Sequence, residues 1–206
     1  MRTNAPRFAL VALVFVGLSH SPAQQPNPTT TAAQQRYYAA LAADVKGPNL
    51  RKTETVGLPT GKEFSDFRPE GGFVIGFDFW KSNYKKTVVV NGVTPIYRTE
   101  TGKVRGNHYG RSEGDPITLE AKEGFAVAGL EVKAGERMDQ LRVIFMRYNV
   151  ALDGFNSADA YKSDWIGGPS QPAERRLIPN QKMIVGIFGG SGLGLDHFGL
   201  LYVDHR

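Results

Sequence analysis

Two five-residue strings in this chain have the composition of a small polar binding loop. They are Gly135-Glu136-Arg137-Met138-Asp139 and Gly192-Leu193-Gly194-Leu195-Asp196. In each, a Gly permits a tight turn, the backbone N–H groups that follow point outward as donors, and an Asp four residues on accepts from two neighbouring hydroxyls. The chemistry on offer is hydrogen-bonded recognition, with no nucleophile and no metal. A Gly-x-x-x-Asp match is expected by chance in a chain with 24 Gly, so its position must carry the argument.

Both strings fall on one frame. Six residues before each first Gly lies another, Gly129 and Gly186, and the frame appears a third time at Gly76. The segments Gly72–Phe77, Phe125–Leu130 and Met183–Ile187 align on these anchors, which are 53 and 57 residues apart, the length of one small β unit. After each anchor the chain turns and returns as a second apolar run: Thr87–Val90, Leu141–Met146 and Phe198–Val203. Each unit reads as strand, turn, strand. The first unit has Ser82 and Lys86 where the other two have Gly and Asp.

Phe73, Ile75, Phe77 and Phe79 alternate with Val74, Gly76 and Asp78, the period of a strand with one buried face. Asn91-Gly92 between Val90 and Val93 is a hairpin signal. Pro95–Thr99, Ile117–Ala121 and Arg176–Ile178 read as further strands, for nine to twelve in all. The expectation is an all-β domain. Three β units of equal length, each leaving an apolar face, satisfy one another around a common axis, and closure hides their sheet edges. A three-sided prism or a barrel follows.

Ahead of this domain, Arg2 and Arg7, the 11 apolar residues Phe8–Leu18 and the small Ser21-Pro22-Ala23 read as a cleaved secretory signal over 1–23. Eleven residues are too few to span a hydrocarbon core of about 30 Å, so no stable membrane insertion is expected after cleavage. The reading is a secreted or periplasmic protein. Residues 24–56 form a polar spacer, Gln24–Thr31, and then a short helix with Tyr37, Leu41 and Val45 at four-residue spacing, Thr31 as N-cap and Gly47-Pro48 as stop. That helix packs on the domain or mediates self-association into a homo-oligomer. Residues 57–206 form the β domain.

The chain has no Cys, which excludes disulfides, thiol catalysis and thiolate metal sites. The 183 residues after Ala23 must hold themselves by their core, and a domain of this size can. Twenty-three basic residues then stand against 20 acidic ones, dispersed along the chain, so no nucleic-acid partner is indicated. The basic, aromatic run Trp80–Lys86 reads as a solvated hairpin tip. His108, His197 and His205 lack partners at metal-ligand spacing, and Gly189–Leu193 fails the nucleophile-elbow pattern because Leu193 stands where Gly is required. Asp153–Trp165 does not fit an EF-hand and reads as loop. No metal, no cofactor and no catalysis are expected.

The run Ile184–Gly199 resembles the C-terminal signature of the jacalin-related lectins. Glu63–Asp66 is similar to that family's opening strand and Ile117–Phe125 to its middle, so the resemblance spans about residues 57–204. It implies a β-prism I fold, three Greek-key four-stranded sheets with pseudo-threefold symmetry, preceded here by the short N-terminal helix. It also implies a lectin-like protein that binds a mono- or oligosaccharide through Gly192, Leu193, Gly194, Leu195 and Asp196. Some members carry a second such loop, which here is Gly135, Glu136, Arg137, Met138 and Asp139. Leu193-Gly194-Leu195 replaces the aromatic ring that many members place in the motif, and their N-terminal Gly-rich loop is reduced to Pro59-Thr60-Gly61-Lys62. The other reading is a structural or protein-interaction prism that has lost the sugar.

Overall fold

The computed structural model describes residues 31–149, 154–169 and 172–204, and the signal-like segment 1–23 lies outside them. The described chain begins with helix α1 (Ala32–Asp44) and strands β1 (Leu50–Lys52), β2 (Val56–Gly57) and β3 (Lys62–Phe67). A hairpin of β4 (Phe73–Tyr84) and β5 (Thr87–Thr99) precedes β6 (Gly102–Arg105), β7 (Tyr109–Gly110) and β8 (Ile117–Glu120). A second, β9 (Phe125–Ala134) with β10 (Met138–Asn149), precedes β11 (Gly154–Lys162), β12 (Ile166–Gly167) and β13 (Arg175–Leu177). The third is β14 (Ile184–Ser191) with β15 (Leu195–Val203).

Each hairpin forms the middle of an antiparallel four-stranded sheet. The first is flanked by β8 and by the broken strand β6/β7, the second by β13 and β11/β12, the third by β3 and β1/β2. Counting each broken strand once, the fifteen segments make twelve strands in three sheets, a β-prism. The first and second sheets touch where Met138 pairs with Val90. Leu50 pairs with Val203, so the third sheet takes in β1, ahead of the Gly57 boundary read from composition.

The anchor glycines repeat for a structural reason. In each hairpin the register skips one residue beside the anchor: Ile75 before Gly76, Ala128 before Gly129 and Val185 before Gly186. The same β-bulge therefore occurs three times. At each anchor the outermost strand of its sheet crosses so closely that a Cβ would run into backbone: Leu119 O of β8, Leu177 O of β13 and Asp66 O of β3. Only Gly tolerates that approach.

The bulge also divides the apolar residues between two clusters. Val74, Val127 and Ile184, two before each anchor, enter a shared core with Phe77, Leu130 and Ile187. Ile75, Ala128 and Val185, with Phe73, Ala126 and Met183, pack instead on Tyr37, Tyr38 and Leu41 of α1 and on Val45. These residues lie at the open ends of the hairpins, so α1 closes the prism end opposite the three tips. Thr31 caps α1, its hydroxyl accepting from Gln34 N–H at 3.3 Å while the Gln34 side chain accepts from Thr31 N–H at 2.8 Å. Gly71, at φ +90°, has no Cβ to overlap the Tyr38 carbonyl, which lets the helix seat.

Two expectations are corrected. Asn91-Gly92 is not a turn: β5 runs through it, with a bulge at Asn91, and the turn is Lys85-Lys86 with φ of 45° and 69°. Two positive φ values in a two-residue turn match strand twist, and the Asn-Gly pair marks a bulge where a Cβ on Gly92 would collide with the Arg111 carbonyl. The first hairpin is thus longer than the frame predicts, and Ser82 lies within β4. Residues 154–162, read as loop, form β11 along the edge of β10.

Candidate functional site

The third tip turns over Gly192–Gly194, with Gly192 N–H donating to Gly194 O at 3.0 Å. Leu193 stands 94% exposed at its apex, while Leu195 is fully buried and Asp196 is 7% exposed. The shortened loop before β3 still reaches the motif. Leu58 N–H donates to Asp196 O at 3.0 Å, and Gly61, at φ +87°, lies against Asp196 Oδ2, where a side chain would not fit. His197 Nδ1 meets the Thr60 carbonyl at 3.2 Å and pins that loop.

The first sheet supplies the rest of the support. Asn91, displaced outward by its bulge, accepts from Leu195 N–H through Oδ1 at 3.2 Å and donates through Nδ2 to Ser82 Oγ at 2.8 Å. A Cβ on Gly194 would overlap the Asn91 amide oxygen, so a side chain here would displace the Asn91 amide. One of the motif's backbone donors is therefore held by the protein itself.

Residues of the second tip reach toward the first and third. The Arg137 guanidinium donates to Asp196 Oδ1 and lies 5.1 Å from the Tyr84 ring centre. Glu136 accepts from Lys85 Nζ at 2.7 Å and from Tyr84 OH at 3.0 Å. Those hydrogen bonds, Lys85 first, hold the Glu136 carboxyl below its ordinary range, and Glu136 in turn raises Lys85. Met138 is buried in the main core, and Asp139 is half-buried beside Gly135.

The structure thus brings both sequence-derived loops to one end of the prism, joined by an ion pair between residues 59 positions apart. Between the tips lies a cleft of about 210 Å³ lined by Asn83, Tyr84, Asn91, Arg111, Arg137 and Leu193, among others. Tyr84, Asn91 and Arg111 were not identified as site residues from the sequence. The Trp80–Lys86 cluster and the Asn91-Gly92 pair did mark two of these positions, but local patterns gave no hint that they face the third tip. Among the described residues no group of three or more His, Asp or Glu side chains is placed to hold a metal ion.

Neither a scan of protein-family models nor a search of curated proteins finds a match. Solved structures do match. Wild-type Malaysian banana lectin has 13% identity, covering 75% of this chain and 99% of its own, with a TM-score of 0.54. The mannose-binding lectin from Champedak has 12% identity, covering 77% and 99%, with a TM-score of 0.56. A mannose-specific jacalin-related lectin from Morus nigra, solved with mannose, has 14% identity, covering 77% and 97%, with a TM-score of 0.53. At these identities the likeness concerns the fold. The chain has the β-prism architecture of the jacalin-related lectins.

Proposed function

We propose that this chain is an exported, non-catalytic glycan-binding module whose site is the tip end of the prism. Gly192–Asp196 forms its floor, and Arg137 of the second loop serves the same site instead of a separate one. The observation that carries this reading is convergence: residues of all three hairpins line one cleft, and Arg137 of the second and Gly61 of the loop before β3 meet at the Asp196 carboxylate. Two of the similar structures are described as a mannose-binding and a mannose-specific lectin. Charge-assisted hydrogen bonds contribute about 1.5–3 kcal/mol each. Two or three of them, less desolvation and ordering, correspond to a single-site affinity near the millimolar scale, about 4 kcal/mol.

Calorimetric titration and a glycan array of the wild type, Asp196→Ala and Asp139→Ala test this. Binding should be lost in Asp196→Ala and reduced less in Asp139→Ala, because Asp196 is the carboxylate that holds Arg137, which lines the cleft. A chain that binds no glycan, or binds equally well as Asp196→Ala, sinks the reading.

A second reading has its own support. Arg137 occupies Asp196 Oδ1 and Asn91 occupies Leu195 N–H, the groups that sugar hydroxyls would otherwise engage. On this view Asp196 braces the tips of a structural or protein-interaction prism. Its signature is an Asp196→Ala variant of lower stability in a protein that no glycan stabilises.

A further inference from the structure

The cleft between the tips is lined by cations and neutral polar groups, without a carboxylate. None of its lining residues is an Asp or Glu, whereas two, Arg111 and Arg137, carry guanidinium groups. Three carboxylates stand behind its lining residues, Asp196 on Arg137, Glu113 on Arg111 and Glu136 on Tyr84, and Asp196 already has an oxygen committed to Arg137. Recognition of a neutral sugar by such a motif needs that carboxylate as an acceptor for neighbouring hydroxyls. Here the charged side chains that line the cleft are both cationic.

Both guanidinium groups retain capacity. Each has five N–H donors in a planar fork that matches a carboxylate or sulfate bidentately. A single Arg137 nitrogen, Nη1, is engaged by Asp196. Arg111 pairs with Glu113 at 2.7 Å, but both side chains are more than half exposed, at 56% and 51%. Exposed pairs of this kind contribute little, so an anion can displace Glu113. Tyr84, Val89 and Leu193 supply apolar surface in the same cleft for the body of a sugar ring. Its 210 Å³ falls below the about 300–1,000 Å³ of sites for drug-sized ligands, a volume suited to one ring.

Resting on the glycan-binding reading, we infer that this site selects sugars bearing an anionic substituent, a uronate carboxylate or a sulfate ester, with Arg111 and Arg137 as the residues that set the preference. The anion bridges the two guanidinium groups and the ring lies against Tyr84 and Leu193.

Three probes separate the possibilities in calorimetric or saturation-transfer titrations: methyl β-glucuronide, methyl β-glucoside and glucose 6-sulfate. The first two differ only in carrying a carboxylate or a hydroxymethyl group. An acidic probe should bind about tenfold tighter than the glucoside, the ratio given by one charge-assisted contact. That advantage should shrink as NaCl is raised. Binding of the glucuronide alone or of the sulfate alone supports the inference and identifies the anion. Arg111→Gln, at an exposed side chain, should remove the acidic preference without disturbing the fold. Arg137→Gln should remove it too and, by freeing Asp196, raise affinity for the glucoside. If the glucoside binds as tightly as both acidic probes, acidic selectivity is overturned while glycan binding stands. If none of the three binds and a broad glycan array is also blank, both fall.

Discussion

Asp66 is 3% exposed, yet its carboxylate is surrounded by donors. Oδ1 accepts from Tyr97 OH at 3.0 Å and Arg68 at 3.1 Å, and Oδ2 from Asn107 N–H at 2.7 Å and Tyr109 OH at 3.2 Å. It ties β3 of the third sheet to β5 and the β6–β7 connection of the first. Removing a buried carboxylate takes the acceptor from Arg68, Asn107 N–H and Tyr109 OH, while Tyr97 OH keeps the Asp66 carbonyl at 2.9 Å, so Asp66→Ala should lower unfolding stability by about 3–5 kcal/mol. Asp66→Asn, which keeps the shape but turns one acceptor into a donor, should cost less. Urea denaturation of both variants checks the order, and equal losses would mean that the carboxylate's hydrogen bonds are not what matters. Asp139 and Asp196 drew attention in the sequence because register put them after a turn glycine. The Asp66 network was not legible, nor was the Arg137–Asp196 pair, because a contact across sheets leaves no local period.

At the scale of elements, much was legible, and for reasons that the bulges explain. The anchor frame at Gly76, Gly129 and Gly186 could be read because a repeated backbone requirement selects a repeated residue. Helix α1 could be read from its cap and from Tyr37, Leu41 and Val45, all of which are buried. What the sequence did not show is where α1 docks, since that depends on the bulge turning Ile75, Ala128 and Val185 toward it. Asn91-Gly92 misled because Asn and Gly suit a bulge as well as a turn. The docked helix carries its own pH dependence. Burial first, and Tyr148 nearby second, push the Tyr38 phenol from 10.0 up to about 12. A folded-state value above the unfolded one means that the protonated phenol stabilises the fold. Its contribution is complete below pH 10 and fades between about 10 and 12. Melting temperature should therefore fall over that interval, and less steeply in Tyr38→Phe. Tyr97, also raised by burial, keeps some slope in the variant. Identical slopes would show that α1 docking does not depend on this phenol.

For the molecule as a whole, the threefold frame extends to the outer faces of the sheets. Two residues beyond each anchor lie Asp78, Glu131 and Phe188, and each carries a cation. Asp78 accepts from Arg105 at 2.7 Å, Glu131 meets Arg142 at 2.5 Å, Lys162 at 2.8 Å and Arg176 at 3.2 Å, and Lys52 Nζ stands 4.7 Å from the Phe188 ring centre. Burial alone would raise both carboxyls, but the hydrogen bonds outweigh it, from Lys162 and Arg142 on Glu131 and from Arg105 and Thr118 on Asp78. Both end below their ordinary range. The sign follows: a folded-state value below the unfolded one stabilises above the unfolded value, near 4, and is lost as pH falls through the folded one. His108, lowered by burial, acts in the same direction from its ordinary 6.5 downward. The prism should thus lose stability on acidification through its outer faces while the apolar cores are unchanged. Glu131→Gln isolates the largest cluster. Because its three cations are 25–61% exposed and partly solvated, the loss at pH 7 should be modest, about 1–3 kcal/mol. The gap between variant and wild type should then narrow as pH is lowered from 5 toward 2, since the wild type protonates the group that the variant lacks. Denaturant unfolding across that range measures the gap, and one that stays constant with pH would show that Glu131 acts through packing and not through charge.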